Sequence, residues 1–137
     1  MDASVCTAYV QEKIQYFDKG AKLESKEIGD GNLNYVFRVS DPLSGKSIIV
    51  KQAGPELRIA KSLHAPLTAD GLKAKSCVFR RNVQPDSVPH VYLYDPVMKA
   101  IIEEDMINHT MMRTALLSYE TFPLFADQIT TFMVNSL

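Results

Sequence analysis

Tryptophan is absent, and only two cysteines, Cys6 and Cys77, occur in 137 residues. Two cysteines cannot build a disulfide framework, and neither sits in a metal-ligand spacing. A reducing, cytoplasmic setting is therefore expected. No stretch approaches the ~20 consecutive apolar residues of a membrane-spanning helix. The start, Met1-Asp2-Ala3-Ser4-Val5-Cys6, lacks the cationic region of a secretory leader. Neither sign of charge dominates: 15 Lys and Arg face 16 Asp and Glu, for a net charge of -1. That excludes broad attraction to nucleic acid or anionic lipid. Internal repeats and low-complexity tracts are missing too. What is present is an ordinary globular balance, 46% apolar and 23% charged, in a length suited to one domain.

The hydrophobic period changes along the chain. Cys6, Val10, Ile14 and Phe17 share one helical face, so the spacing predicts a helix over 4–17, capped by Asp2 or Ser4 and followed by Gly20. In 33–40, Tyr35, Phe37 and Val39 alternate with Val36 and Arg38, which predicts a strand. Asp41 to Lys46 reads as a turn in which Gly45 supplies a positive φ. Residues 47–52 form the return strand, and Glu27-Ile28 begins another before Gly29. Residues 53–68 read as an irregular connection and 69–82 as a helix capped by Thr68. Pro85 to Pro89 is loop. Two further strands, 90–95 and 99–104, flank a turn at Asp95 to Met98. A short helix is expected over 111–117. Pro123 suits the first turn of a last helix, lined on one face by Phe125, Ile129, Phe132 and Met133. Consecutive strands joined by tight turns predict an α+β fold with an antiparallel five-stranded sheet.

The most informative segment is Glu27-Ile28-Gly29-Asp30-Gly31-Asn32-Leu33-Asn34-Tyr35-Val36-Phe37. Its glycines permit close approach of backbone to a ligand, and backbone N–H groups in such a turn can hold phosphate oxygens. A plain hairpin turn fits the same residues. Lys51 supplies context. It ends the apolar run Ile48-Ile49-Val50, where its side chain can reach phosphates under the hairpin, although a solvated strand end would also explain it. A Gly-rich hairpin followed by a strand ending in lysine is the nucleotide-binding pattern of kinase-like folds.

These residues carry a resemblance. Residues 27–39 resemble the glycine loop of 5-methylthioribose kinases, and Gly45 to Ala53 continue it through the lysine strand. Pro85-Asp86-Ser87-Val88-Pro89-His90-Val91-Tyr92 with Tyr94-Asp95 is similar to the next landmark. Glu104-Asp105-Met106 resembles the hinge that contacts adenine, and Arg113, Leu116 and Tyr119 to Asp127 fit the segment after it. The resemblance implies a protein-kinase-like N-terminal lobe, related to choline kinases and aminoglycoside phosphotransferases, over 1–105. Residues 106–137 would be the hinge and first helices of a second lobe, truncated before its catalytic part. It implies that ATP phosphorylates the 1-hydroxyl of methylthioribose in methionine salvage. By position Gly29, Asp30, Gly31 and Asn32 would line the phosphates and Lys51 would pair with them. The backbone of Glu104 and Met106 would hold adenine.

Two departures bear on activity. Where the resemblance puts an acidic helix partner for the lysine, this chain has Lys75, with Glu56 or Asp70 as substitutes. No histidine is followed two residues later by Asp, so neither a catalytic Asp nor magnesium carboxylates are identified. Whether the chain is itself an enzyme stays open. It reads as the ATP-binding lobe of such a kinase, inactive alone, or as a non-catalytic pseudokinase-like remnant serving as an interaction module. ATP binding is expected to be weak, and magnesium to need the missing lobe.

Glu103, Glu104 and Asp105 follow a strand, so they read as a hinge or solvated edge and not as a metal site. His109 reads as a loop histidine. Met106, Met111 and Met112 either line an adenine pocket or fill core. Arg80-Arg81 is too small a basic patch for nucleic acid, and Cys77 reads as structural. The apolar residues of 106–137 predict a homo-oligomer through that stretch. No nucleic acid or membrane partner is expected.

Overall fold

A computed structural model of the protein describes residues 1–28, 34–53, 81 and 85–136. Its elements run α1 (Ala3–Lys13), β1 (Glu24–Glu27), β2 (Asn34–Ser40), β3 (Ser47–Ala53), a 3-10 turn (Pro85–Ser87), β4 (Val91–Asp95), β5 (Ala100–Glu104), α2 (Met112–Leu117) and α3 (Phe125–Asn135). The strands form one antiparallel sheet in the order β1-β2-β3-β5-β4. The expected α+β, five-stranded antiparallel architecture is present.

The sheet has two unlike faces because side chains alternate along each strand. On one face Phe37 and Val39 of β2 stand opposite Val50 and Ile48 of β3. With Ala100 and Ile102 of β5 they meet Cys6, Tyr9 and Val10 of α1 in a single buried cluster. At ~25 cal/mol per Å2 of apolar surface, this core is the main source of stability. Burial pushes the Cys6 thiol upward in pKa, so it behaves as a small apolar side chain. The opposite face carries Val36, Arg38, Ile49, Lys51, Ile101 and Glu103, as the register requires.

The capping logic of α1 holds. Asp2 accepts from the Val5 N–H at 2.9 Å and from the Ser4 hydroxyl at 2.8 Å. The helix ends earlier than its spacing predicted, at Lys13, with Ile14 extended at φ -137 and ψ 147. Ile14, Tyr16 and Phe17 instead pack along the core as non-helical chain, with Tyr16 5.1 Å from the Tyr92 ring on β4. Tertiary packing outweighed helical period here. The first strand also differs: β1 ends at Glu27 instead of beginning there. Its residues, Glu-Ser-Lys-Glu, show no apolar alternation because it is an edge strand, where charge discourages further pairing.

Both tight turns are held by an aspartate. In the β2–β3 turn Asp41 accepts from the Leu43 N–H at 3.0 Å and the Ser44 hydroxyl at 2.6 Å, and Gly45 takes φ +72. In the β4–β5 turn Asp95 accepts from the N–H groups of Val97 at 2.9 Å and Met98 at 3.0 Å. Its other oxygen accepts the Tyr9 hydroxyl at 2.9 Å, tying α1 to the far end of the sheet.

Pro123 falls before the N-cap Leu124 and not in the first turn of α3. Phe125, Ile129 and Met133 line one side of α3 as expected, but all three are exposed. The irregular connection from residue 54 and the helix over 69–82 lie outside the described residues, Arg81 apart. No helix among the described residues is long and apolar enough to cross a membrane.

Candidate functional site

The face of the sheet turned away from α1 forms one wall of a cleft of about 420 Å3. Val36 comes from β2, Ile49 and Lys51 from β3, Ile28 from just beyond the end of β1, and Glu103 to Met106 from β5 and the chain beyond it. His109, Thr110 and Met111 complete the lining.

Register explains why Lys51 and Glu103 meet. Ile49 lies directly opposite Glu103, and Lys51 opposite Ile101, in the β3–β5 ladder. Lys51 and Glu103 therefore project from the same face two positions apart, a diagonal that long side chains can span. Their ammonium and carboxylate form an ion pair in which Glu103 is 9% and Lys51 40% exposed. The pair is lopsided: a nearly buried anion held by a cation that still reaches solvent. Among the described residues the acidic partner of Lys51 thus comes from the neighbouring strand. Lys75, Glu56 and Asp70, weighed from sequence for that role, lie outside the described residues.

In the acidic run 103–105, read from sequence as a hinge or solvated edge, Glu103 and Asp105 are nearly buried while Glu104 stays 40% exposed. Each member has its own cation. Glu104 accepts from Arg81 at 3.2 Å and from the His90 N–H at 2.9 Å. Asp105, whose side chain is 4% exposed, meets Arg38 Nε at 2.7 Å. Three carboxylates in a row would repel one another if left bare, and the fold spreads them over Lys51, Arg81 and Arg38. Among the described residues no group of three or more His, Cys, Asp or Glu is placed to hold a metal ion. Arg81, read from sequence as half of a small basic patch, is engaged with Glu104 and with the Val88 carbonyl at 3.0 Å.

Of the residues predicted for the site, the structure brings Lys51, Glu104 and Met106 to one cleft. Gly29, Asp30, Gly31 and Asn32 lie outside the described residues. Their flanks do not: Ile28 and Val36 line the cleft, and the Ile28 N–H donates to the Val36 carbonyl at 2.8 Å. At Met106 the carbonyl accepts from the His109 N–H at 2.9 Å. Among the described residues nothing engages the Met106 N–H. Met106 and Met111 line the cleft, whereas Met112 does not, and His109 is a lining residue as well as a loop one.

Sequence reasoning missed Glu103 as the partner of Lys51 and Asp105 as the partner of Arg38. The signal was present in part. Once β3 and β5 are paired, alternation puts Glu103 on the face of Lys51, but the pairing itself cannot be read from either strand alone.

No family model matches the chain. Curated relatives do. Over 123 residues the chain is 37% identical to a methylthioribose kinase of Bacillus cereus. It is 36% identical over 123 residues to the methylthioribose kinases of Bacillus thuringiensis and Bacillus anthracis. Each match takes in 89% of this chain but 31% of the relative. The chain thus spans less than a third of the length of the curated relatives it matches.

Proposed function

We propose that this chain is the ATP-binding lobe of a methylthioribose kinase, with Lys51 as the cation that meets the nucleotide phosphates. The observation that carries the reading is the placement of Lys51. Its ammonium stands on a cleft wall, oriented by Glu103 and still 40% exposed, beside a rim that includes Met106. Phosphoryl transfer depends on positioning and on charge stabilisation more than on covalent chemistry by the protein. A fixed ammonium and a backbone N–H at the rim are the two kinds of donor a nucleotide requires, one for phosphate and one for the base. The likeness to curated methylthioribose kinases supports the same assignment.

The division of labour follows from the residues. Lys51 would draw the α- and β-phosphates to the sheet. Gly29 to Asn32, between the cleft-lining Ile28 and Val36, would cover them with backbone N–H groups. Glu104 and Met106 would hold the adenine edge. The described residues do not fit a magnesium site, since Glu103, Glu104 and Asp105 are each committed to a different cation. Transfer to the 1-hydroxyl of methylthioribose belongs to the activity of a whole kinase. One wall leaves a bound ligand wetter than the ~70–90% burial usual for small-ligand sites. Affinity weaker than about 100 µM, or about -5.5 kcal/mol, is expected.

One observation favours a second reading, a non-catalytic module that keeps the fold. Lys51 is already neutralised by Glu103, which weakens its pull on an anion. Titration of the isotope-labelled chain with ATP separates the two. The nucleotide reading expects amide shifts clustered at Val50 to Gln52 and Glu104 to Met106, reduced about tenfold in affinity by Lys51→Ala, the equivalent of about 1.4 kcal/mol. No shift at millimolar ATP would leave only the module.

A further inference from the structure

Asp105 is the first residue beyond β5, where the strand ladder no longer holds the chain. It is nevertheless tied to two other strands. From β2, Arg38 sends Nε to Oδ2 at 2.7 Å and Nη2 to Oδ1 at 3.1 Å. From β3, the Ser47 hydroxyl donates to Oδ2 at 2.7 Å. A two-pronged guanidinium–carboxylate contact fixes orientation as well as distance. The carboxylate is 4% exposed, so water competes little for it. The residue so held is followed at once by Met106, and both line the cleft. The Met106 carbonyl is committed to His109 at 2.9 Å, while its N–H faces no partner among the described residues.

We infer that Arg38 and Asp105 are positioning residues for nucleobase recognition: their fork fixes the Asp105–Met106 peptide so that its N–H is a preorganised donor to a base edge. This rests on the nucleotide reading above. A linker held only by the preceding strand would sample many directions, and each would have to be given up on binding. Tying the aspartate to β2 and β3 meets that cost during folding. A merely structural tie would leave base recognition untouched once the protein is folded.

The test compares two ligands, ATP and inorganic tripolyphosphate, on the intact chain and on Arg38→Met and Asp105→Asn. Both variants remove the charged fork. Asp105→Asn keeps side-chain volume, so it remains informative if Arg38→Met does not fold. The expected result is an ATP affinity about three- to tenfold weaker in either variant, the loss of roughly one hydrogen bond, with tripolyphosphate binding unchanged. Lys51→Ala should weaken both ligands. Equal loss on both ligands in the Arg38 and Asp105 variants would mean general loosening and overturn the inference, as would an unchanged ATP affinity. If the intact chain binds neither ligand, the nucleotide reading itself fails, which is a different outcome from binding that ignores the fork.

Discussion

Lys51 on β3 and Glu103 on β5 form an ion pair across the sheet, with the acid nearly buried and the base still in contact with water. The asymmetry has an energetic consequence. Removing the lysine strands a carboxylate with little water to replace it. Removing the acid leaves an ammonium that can hydrate.

Lys51→Met is accordingly expected to cost roughly 1–3 kcal/mol of stability, below the ~3–5 kcal/mol of a fully buried pair because the ammonium is partly solvated. Glu103→Gln should cost less, under about 1 kcal/mol, since the amide still accepts a hydrogen bond. Urea denaturation of the three proteins at neutral pH measures both. Equal costs, or a larger cost for Glu103→Gln, would contradict the burial asymmetry.

Stability should fall at both ends of the pH scale. The Met98 N–H, with the Tyr9 hydroxyl and the Val97 N–H, holds the Asp95 carboxyl below its usual pKa. The Ser44 hydroxyl and the Leu43 N–H do the same for Asp41. Both folded values lie below the unfolded ~3.9, so their stabilisation is whole above that pH and is lost as pH falls through the folded values. Desolvation, with help from Asp95, raises Tyr9, and desolvation pushes Tyr92 up to about 12. For these phenols the sign reverses: stabilisation is whole below the unfolded ~10 and is lost as pH rises through the folded values. Thermal melts across pH should show a central plateau and two declining limbs. Asp95→Asn should flatten the acid limb, and an unchanged limb would remove Asp95 from the account.

The 137-residue chain is expected to show no phosphorylation of methylthioribose by ATP. Its three histidines begin His64-Ala65-Pro66, His90-Val91-Tyr92 and His109-Thr110-Met111, none with the Asp two places on that would activate the acceptor hydroxyl. Coupled detection of ADP with the pure chain checks this. Turnover above background that disappears in Lys51→Ala would overturn it.

Self-association is expected through α3. Phe125 is 45%, Ile129 38% and Met133 58% exposed, and they recur at intervals of four along one side. Apolar surface gathered in this way tends to acquire a partner, and a second copy would offer the same stripe in return. Light scattering over a concentration series should show mass rising, and Ile129→Glu should suppress the rise. A strictly monomeric mass in the unsubstituted chain at every concentration would refute it.

Much of the sheet was legible because strand signals are local. Phe37 and Val39 alternate with Val36 and Arg38 whatever lies beside them, and the turns at Asp41 and Asp95 announce themselves by side chains that bond their own backbone. The end of α1 was not legible. Ile14 and Phe17 keep helical spacing in the sequence, and only the pull of the core and of Tyr92 on neighbouring Tyr16 explains why the helix stops at Lys13. β1 hid for another reason: an edge strand of Glu, Ser, Lys and Glu has no apolar rhythm to detect.

By itself the sequence determined the fold class, the strand pair around Lys51, and the likeness that makes Lys51, Glu104 and Met106 the residues to examine. These follow from period, turn chemistry and motif, all written within a few neighbouring positions. Only the tertiary structure decided which charges meet. Lys51 with Glu103 and Arg38 with Asp105 are separated by fifty or more residues of sequence. Their pairing comes from the order β2-β3-β5 and its register. Register is a property of two strands together, set by the burial of Phe37, Val50 and Ile102 on the other face of the same sheet.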